Sequence, residues 1–144
     1  MCENMVIKRI ISYTEYSVLL EELINLIKKK YDISKFDYIY GPPRGGLPIA
    51  VHLSYHLNIK FSFKLKHFNN ILIVDDIVDS GNTFTRIKHQ DINNRFIFAS
   101  LFNKPRSNFQ HLDDNFVELI ENNIWIQFPW ESNNTEIDKE YMNV

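Results

Sequence analysis

Short apolar runs alternate along this chain with segments whose apolar residues recur every three or four positions. The recurrence at positions 19, 20, 23, 24 and 27 predicts an amphipathic helix. Ser12 and Glu15 have the spacing of a capping box at its start, and the lysines at 28–30 suit its carboxyl end. Two further helices are predicted at 47–57 and at about 82–89. Strands are predicted at 6–11, 36–40, 59–63, 71–75, 95–102, 116–120 and 124–128.

The alternation of strands and helices through the middle of the chain indicates an α/β protein with a parallel, doubly wound sheet. The four apolar residues at 71–74 are typical of a strand that is buried on both faces. No repeat or linker divides the sequence, so residues 1–144 are interpreted as one domain. The polar stretch at 132–144 is expected to be a flexible tail.

Acidic residues follow the predicted buried strand. Asp75 and Asp76 end it, and Asp79 comes three residues later. In an open α/β sheet, ligands bind where a strand ends and a helix begins, and free N–H groups at a helix start suit a phosphate. The acids suit sugar hydroxyls or a metal, so the segment predicts a site for a phosphorylated sugar. The loop residues that could bind the phosphate are Ser80, Gly81, Asn82 and Thr83.

Two other interpretations of this segment were available. A helix cap would explain one acid, but two acids followed by a small polar loop favour a binding site. A response-regulator receiver domain can also begin with an acidic pair and carry a later Lys-Pro, as Lys104-Pro105 does here. Half of this chain precedes Asp75, however, and a single predicted strand separates Asp79 from Lys104. That order excludes a receiver domain.

A second anion site is predicted in the loop between the strand at 36–40 and the helix at 47–57. Gly45 and Gly46 allow backbone amides to face an anion, and Arg44 adds a fixed positive charge. Taken alone, the segment is equally compatible with a solvated Pro/Gly loop. Two phosphate loops on one sheet indicate a ligand that carries phosphates at both ends.

Composition narrows the function classes. The net charge of −2 argues against a sequence-independent grip on nucleic acid. The single cysteine, Cys2, excludes an internal disulfide and a cysteine-based zinc site. No apolar run is long enough to span a membrane, and the first residues lack the order of a signal peptide. The simplest interpretation is a cytoplasmic protein that binds neither membranes nor nucleic acid.

Together these motifs resemble those of the type I phosphoribosyltransferases. Residues 71–83 are similar to the family's motif for 5-phosphoribosyl-1-pyrophosphate (PRPP), and residues 43–46 resemble its pyrophosphate loop, where the peptide before the arginine is often cis. Residues 124–131 are similar to the base-binding segment of the xanthine/hypoxanthine–guanine enzymes. The resemblance implies a parallel sheet flanked by helices, with a small hood formed by about 1–12 and 104–131.

The resemblance also implies a function in purine salvage. PRPP and guanine, xanthine or hypoxanthine would give GMP, XMP or IMP and pyrophosphate, with Mg²⁺ as cofactor. Asp79 would be catalytic, accepting or stabilising the N7 proton of the purine while N9 attacks the ribose. Asp76 would contact the metal. The implied binding residues are Asp75, Asp76, Asp79, Ser80, Gly81, Asn82 and Thr83 for ribose and 5′-phosphate, Arg44, Gly45 and Gly46 for pyrophosphate, and Lys104, Trp125 and Ile126 for the purine.

The sequence departs from the family in one segment. These enzymes have a long mobile loop before the acidic strand, which closes over the reacting centre. Here only residues 64–70 are available, and the Ser-Tyr pair common in that loop is absent. Either this segment covers the site poorly, or a neighbouring subunit of a dimer or tetramer covers it, or catalysis is slow or lost. The last case gives an alternative function, a regulatory module that binds PRPP or a nucleotide on the same fold.

Overall fold

Strands and helices alternate through residues 5–131, the part of the chain that the computed structural model describes. The strands are β1 (Ile7–Ile10), β2 (Tyr38–Tyr40), β3 (Ile71–Val78), β4 (Phe96–Asn103), β5 (Phe116–Leu119) and β6 (Ile124–Gln127). The α-helices are α1 (Tyr13–Lys30), α2 (Gly46–Leu57) and α3 (Asn82–Lys88), and a 3₁₀ turn spans Ile33–Lys35. The predicted flexible tail at 132–144 lies outside the described residues.

Four strands form a parallel sheet in the order β2-β3-β4-β5. This confirms the predicted α/β fold class. In the register, Ile73 of β3 pairs with Tyr40 of β2 on one side and with Phe98 of β4 on the other. The first four residues of β3 are fully buried, as expected for a central strand covered on both faces. Because the strands are parallel, their carboxyl ends meet at one edge of the sheet.

Two apolar clusters cover the faces of this sheet. On one face, Leu23 of α1 and Leu53 of α2 pack with Leu72 and with the other buried residues of that cluster. On the opposite face, Phe84 of α3 packs with Phe98, their ring centroids 4.9 Å apart. Truncating a fully buried leucine such as Leu53 to alanine would cost about 2–5 kcal/mol. The two layers hold β3 and its carboxyl end in a fixed position.

The first and last strands form a separate two-stranded parallel sheet, which we call the hood (β1 and β6). Arg9 of β1 ties it to the rest of the molecule: its guanidinium pairs with Glu118 of β5 and with Glu15 of α1, and it lies over the ring of Phe102, 5.4 Å from the centroid. Of the segment assigned to the hood from the sequence, 104–131, β6 pairs with β1, whereas β5 joins the main sheet.

Two predicted elements differ from the structure. No strand forms over 59–63: a single bridge joins Phe61 to Ile39, whose backbone N–H donates to Lys60 and whose carbonyl accepts from Ser62. Strand β3 extends beyond the predicted 71–75 to Val78, because β4 pairs with it as far as Asn103. The acidic pair therefore lies inside a strand instead of at its end.

The start of α1 agrees with prediction in part. The hydroxyl of Ser12 caps the helix by accepting from the backbone N–H of Glu15, at 3.1 Å. The carboxylate of Glu15 does not complete the capping box, because it pairs with Arg9 of the hood. Among the described residues, no helix has the length and apolar character needed to cross a membrane.

Candidate active site

The acidic pair lies near the carboxyl end of β3, and its two carboxyl groups are close enough to interact with each other. Asp76 faces the loop before α2: a Cβ on Gly45 would lie 2.6 Å from both of its carboxylate oxygens. Asp75 lies near Tyr40, where burial and the charge of Asp75 raise the pKa of the tyrosine.

Both acidic residues are half-buried. Burial, followed by the charge of Asp76, raises the pKa of Asp75 well above its ordinary value, and burial also raises the pKa of Asp76. Each accepts one backbone N–H, from Asp76 to Asp75 at 2.8 Å and from Ile77 to Asp76 at 2.7 Å. These bonds stabilise the negative charge only in part, so a cation or sugar hydroxyls would find unmet acceptors here.

The donor set fits a magnesium ion that is shared with a substrate. Carboxylate oxygens are ligands that Mg²⁺ prefers, and Mg²⁺ is commonly held by one or two carboxylates together with substrate phosphates. Within residues 5–131, no cluster of three His, Cys, Asp or Glu side chains could hold a metal on its own. Asp76 is therefore suited to hold such an ion only together with a phosphate ligand.

The loop between β3 and α3 makes a tight turn at the start of α3. Gly81 has φ +92°, a left-handed conformation that favours glycine, and its carbonyl accepts from Thr85 at the first turn of α3. Ser80 and Asn82 are exposed, and Thr83 is half-buried. A Cβ on Gly81 would lie 2.9 Å from the backbone nitrogen of Phe109, so the loop packs against the segment that follows β4.

The second predicted anion loop packs against the acidic strand β3. The Pro43–Arg44 peptide is cis, as the resemblance predicts. Arg44 is exposed, whereas Gly46 is buried so closely that a Cβ on it would lie 2.4 Å from the carbonyl oxygen of Val74. Since Gly45 also contacts Asp76, the structure brings the two predicted phosphate loops and the acidic pair to one place.

Asp79 lies at the other end of this edge, among cations. Arg106 donates to its Oδ1 through Nε, at 2.5 Å, and Lys104 Nζ lies 3.7 Å from the same oxygen. Burial raises the pKa of Asp79, but the bond from Arg106 and the charges of Lys104 and Arg106 outweigh it and hold the pKa below its ordinary value. At neutral pH Asp79 is an ionised acceptor.

The predicted purine residues join the main sheet to the hood. Lys104 is 6% exposed, and its Nζ donates to the carbonyl of Asn122 in the turn before β6, at 3.2 Å. Trp125 follows in β6 opposite Lys8 and is half-buried, while the side chain of Ile126 is buried in the core. The backbone of Ile126 is part of the hood sheet.

The short segment at 64–70 lies away from this edge. The backbone N–H of Lys66 donates to the hydroxyl of Tyr38 at 2.6 Å, and Arg95 donates to the carbonyl of Phe68 at 2.6 Å. Tyr38 begins β2 and Arg95 precedes β4, so both anchors lie at the amino ends of parallel strands. The segment is therefore bonded at the edge opposite the acidic pair and does not cover it.

Two residues of this site, Arg106 and Asn122, were missed from the sequence. Asn122 accepts from Lys104 with its carbonyl and from the backbone N–H of Arg106 with its side chain, at 3.0 Å. A weak signal for Arg106 was present, since it follows Lys104 by two residues in a loop after a strand. No sequence signal marks Asn122, because its role depends on a contact across the fold.

Comparisons with known proteins agree with this arrangement, although no protein-family model matches the chain. A xanthine-guanine phosphoribosyltransferase of Cereibacter sphaeroides is 28% identical over 117 residues, which cover 65% of this chain and 68% of that protein. Another enzyme of that name, from Roseobacter denitrificans, is 39% identical over 61 residues, 42% of this chain and 32% of that protein.

Solved structures show the same fold. The xanthine-guanine-hypoxanthine phosphoribosyltransferase of Helicobacter pylori has a TM-score of 0.70 at 23% identity, covering 93% of this chain and 99% of that one. A purine phosphoribosyltransferase of Pyrococcus horikoshii has a TM-score of 0.69 at 22% identity, covering 87% and 94%. A hypothetical protein of Neisseria gonorrhoeae, solved with bound ppGpp, has a TM-score of 0.66 at 17% identity, covering 95% and 97%. The resemblance predicted from the motifs is confirmed: the chain has the type I phosphoribosyltransferase fold, and its sequence is similar to those of xanthine-guanine phosphoribosyltransferases.

Proposed function

We propose that this chain is a purine phosphoribosyltransferase, which transfers the 5-phosphoribosyl group of PRPP to a 6-oxopurine and releases pyrophosphate. The observation that carries the proposal is the meeting of three features at one edge of the sheet. These are the acidic pair of β3, the two anion loops beside it, and the cation-bound Asp79 next to the hood. The similarity to enzymes named for this reaction supports it.

The two loops would bind the two phosphate ends of PRPP. Residues 80–83 would donate to the 5′-phosphate, and Arg44 with the N–H groups of Gly45 and Gly46 would bind the pyrophosphate. Asp75 and Asp76 would accept from the ribose hydroxyls. Mg²⁺, held between Asp76 and the substrate phosphates, would supply positive charge to the leaving pyrophosphate.

The base would react at the other end of the site. Its N9 forms a bond to C1 of the ribose as the bond from C1 to the pyrophosphate oxygen breaks. The proton on N7 is then drawn toward the carboxylate of Asp79, which the neighbouring cations keep ionised. Lys104 would donate to the 6-oxo group, and a donor there disfavours a purine with a 6-amino group. Trp125 would stack on the ring and orient it.

A regulatory function is the second candidate, and one observation favours it. The segment at 64–70 is bonded at the opposite edge, so in this chain it does not exclude water from the reacting centre. The Neisseria gonorrhoeae protein of similar fold was solved with a bound nucleotide, ppGpp. A PRPP or nucleotide sensor would need the phosphate loops but no cover.

Pyrophosphate release separates the two candidates. The chain would be incubated with Mg²⁺, PRPP and guanine, xanthine, hypoxanthine or adenine in turn. The proposal predicts release with at least one 6-oxopurine and far less with adenine. If GMP raises the melting temperature while no base gives pyrophosphate, the sensor is correct and the transferase proposal is wrong.

The role of Asp79 has its own test. Asp79→Ala removes the acceptor of the N7 proton, and we expect kcat/KM for the base to fall about 10²–10⁴-fold, the usual contribution of a general base. Asp114→Asn is a matched control on an exposed loop, where φ +59° suits asparagine as well as aspartate. Full turnover by the Asp79 variant would contradict the proposed role.

A further inference from the structure

Arg106 contacts Asp79 in an asymmetric way. Its Nε and its Nη2 both lie 2.5 Å from Oδ1 of the carboxylate, and Lys104 Nζ lies 3.7 Å from that same oxygen. All three of these distances involve Oδ1. One oxygen of the carboxylate is therefore held by two cations.

The backbone around Arg106 is fixed by the turn before the hood. The backbone N–H of Arg106 donates to the side chain of Asn122 at 3.0 Å, and Lys104 donates to the carbonyl of the same residue. Both cations thus approach Asp79 from one anchored loop. This loop also carries Asn108, whose backbone N–H donates to the carbonyl of Ser80 at 3.0 Å. Asp79 is therefore contacted by cations from the loop that follows β4.

The ion pair contributes little to folding. The side chains of Arg106 and Asp79 are 53% and 46% exposed, and surface pairs of this kind are screened by water. A purine stacked at the hood would remove that water, and electrostatic interactions strengthen when water is excluded. The interaction between Arg106 and Asp79 should therefore be strongest when a base is bound.

We propose that Arg106 is a positioning residue for base recognition, which holds Oδ1 of Asp79 so that Oδ2 accepts the N7–H of the purine. This inference rests on the proposed function, and it assigns the hydrogen bond from the purine N7–H to one oxygen of the Asp79 carboxylate. Arg106 itself touches no reacting atom. The low pKa of Asp79 agrees with this role, because the carboxylate stays an acceptor at neutral pH.

The test compares two deazaguanine isomers. One has nitrogen at position 7, bearing hydrogen, and carbon at position 9, so it lacks the N9 nucleophile. The other has carbon at position 7 and N–H at position 9. Their affinities for the chain with Mg²⁺ and PRPP would be measured by calorimetry, under conditions in which no pyrophosphate is released. The wild-type chain should bind the isomer with N7–H about tenfold or more tightly, as expected for a hydrogen bond to a charged acceptor.

Arg106→Gln should reduce that preference to about twofold and leave the affinity for the other isomer unchanged. Arg106→Lys keeps the charge without the planar fork and should restore part of the preference. Arg86→Gln, at an exposed arginine of α3, is the matched control and should keep the wild-type preference.

Three other outcomes would overturn the inference. An unchanged preference in Arg106→Gln would mean that Arg106 does not position Asp79. Tighter binding of the N7–H isomer by that variant would mean that Arg106 blocks the base and must be displaced. If the wild-type chain binds PRPP but neither isomer, the proposed function fails together with this inference.

Discussion

Single residues divide the site into two electrostatic halves. Asp75 and Asp76 are half-buried neighbours, and each accepts a backbone N–H. Asp79 has different surroundings, with the cations of Lys104 and Arg106 at one of its oxygens. The pKa values of the first two carboxyl groups are raised, whereas that of Asp79 is lowered, so the charge of Asp79 is the better compensated. This difference suits a metal-bearing phosphosugar at one end and a neutral base at the other.

The acidic pair should lower the stability of the free protein at neutral pH. Burial raises the pKa of Asp75 well above its ordinary 3.8, so the folded chain binds that proton more tightly than the unfolded chain. The free energy of unfolding therefore falls as pH rises from about 4 through the raised pKa. Asp75→Asn removes this loss, so we expect the variant to unfold at a higher temperature than wild type at pH 7.5. Its free energy of unfolding should be larger by about 1.4 kcal/mol for each unit by which the pKa of Asp75 is raised.

Thermal unfolding between pH 4 and pH 8, in buffer with a chelator, would measure this effect. The advantage of Asp75→Asn should shrink toward pH 4, where the wild-type carboxyl is protonated in both states. Asp114→Asn is the control and should follow the wild-type curve. A destabilised Asp75→Asn at pH 7.5 would show that the charge is already well compensated in the free chain.

At the level of elements, the loop before α2 and strand β3 touch through two adjacent glycines that have different neighbours. The three atoms nearest to a Cβ on Gly45 would belong to the carboxylate of Asp76, a side chain that can rotate. A Cβ on Gly46 would meet the carbonyl oxygen of Val74, which is backbone of the central strand. The same substitution should therefore have different consequences at the two positions.

Gly45→Ala should impair function with little effect on folding. Gly45 has φ −60° and ψ −44°, which alanine adopts without strain, so the free energy of unfolding should change by less than about 1 kcal/mol. The displaced Asp76 should lower kcat/KM about tenfold or more. Gly46→Ala is the paired variant and should cost about 1–3 kcal/mol of stability through overpacking. Chemical denaturation and pyrophosphate release would measure both, and equal stability losses would contradict the distinction.

The local pattern of apolar and polar residues predicted most helices and strands. It did not predict features that depend on pairing with a distant strand. The period of α1 and the apolar run of β3 predicted both elements, because each is encoded in neighbouring residues. The apolar segment at 59–63 has strand character, yet it makes one bridge only, because a strand needs a pairing edge that the sequence does not show. The acidic pair was placed at a strand end, since its pairing with β4 comes from residues about 25 positions away.

The predicted site residues lie at one edge because a parallel sheet gathers its loops there. The structure places Gly45 against Asp76 and Lys104 near Asp79, although Lys104 was predicted from the family resemblance and not from this rule. Arg106 could not be selected in the same way, since an arginine in a polar loop is most often solvated and its pairing with Asp79 spans 27 residues.

On the scale of the whole molecule, the segment at 64–70 closes the amino edge of the sheet and leaves the carboxyl edge to the hood. Its anchors are Tyr38, Arg95 and the carbonyl of Gln90, which contacts Nδ1 of His67 at 3.0 Å. The hood is held at the other edge by Arg9. The segment at 64–70 is thus bonded at the amino edge, and the hood is bonded at the carboxyl edge, where the candidate site lies.

Loosening the segment at 64–70 should leave catalysis intact. Tyr38→Phe removes the acceptor for the backbone N–H of Lys66, and we expect it to cost about 1 kcal/mol of stability. The value of kcat/KM should stay within about twofold of wild type, because the segment lies opposite the reacting centre. Tyr55→Phe, at a tyrosine 82% exposed, is the control and should change neither quantity. A tenfold loss of kcat/KM in Tyr38→Phe would mean that the segment reaches the site during turnover.

The pairing of β1 with β6 has a consequence for the order in which the chain folds. Ile7 pairs with Ile124, so the hood joins residues from almost opposite ends of the described chain and closes the largest loop in it. During synthesis β1 emerges first and has no partner until β6 has left the ribosome, whereas β2, β3 and β4 can pair as they appear. The phosphate loops would thus be in place before the surface that holds Trp125. A nascent or truncated chain would pass through a stage that has the proposed phosphate loops but lacks the residue proposed to stack on the base.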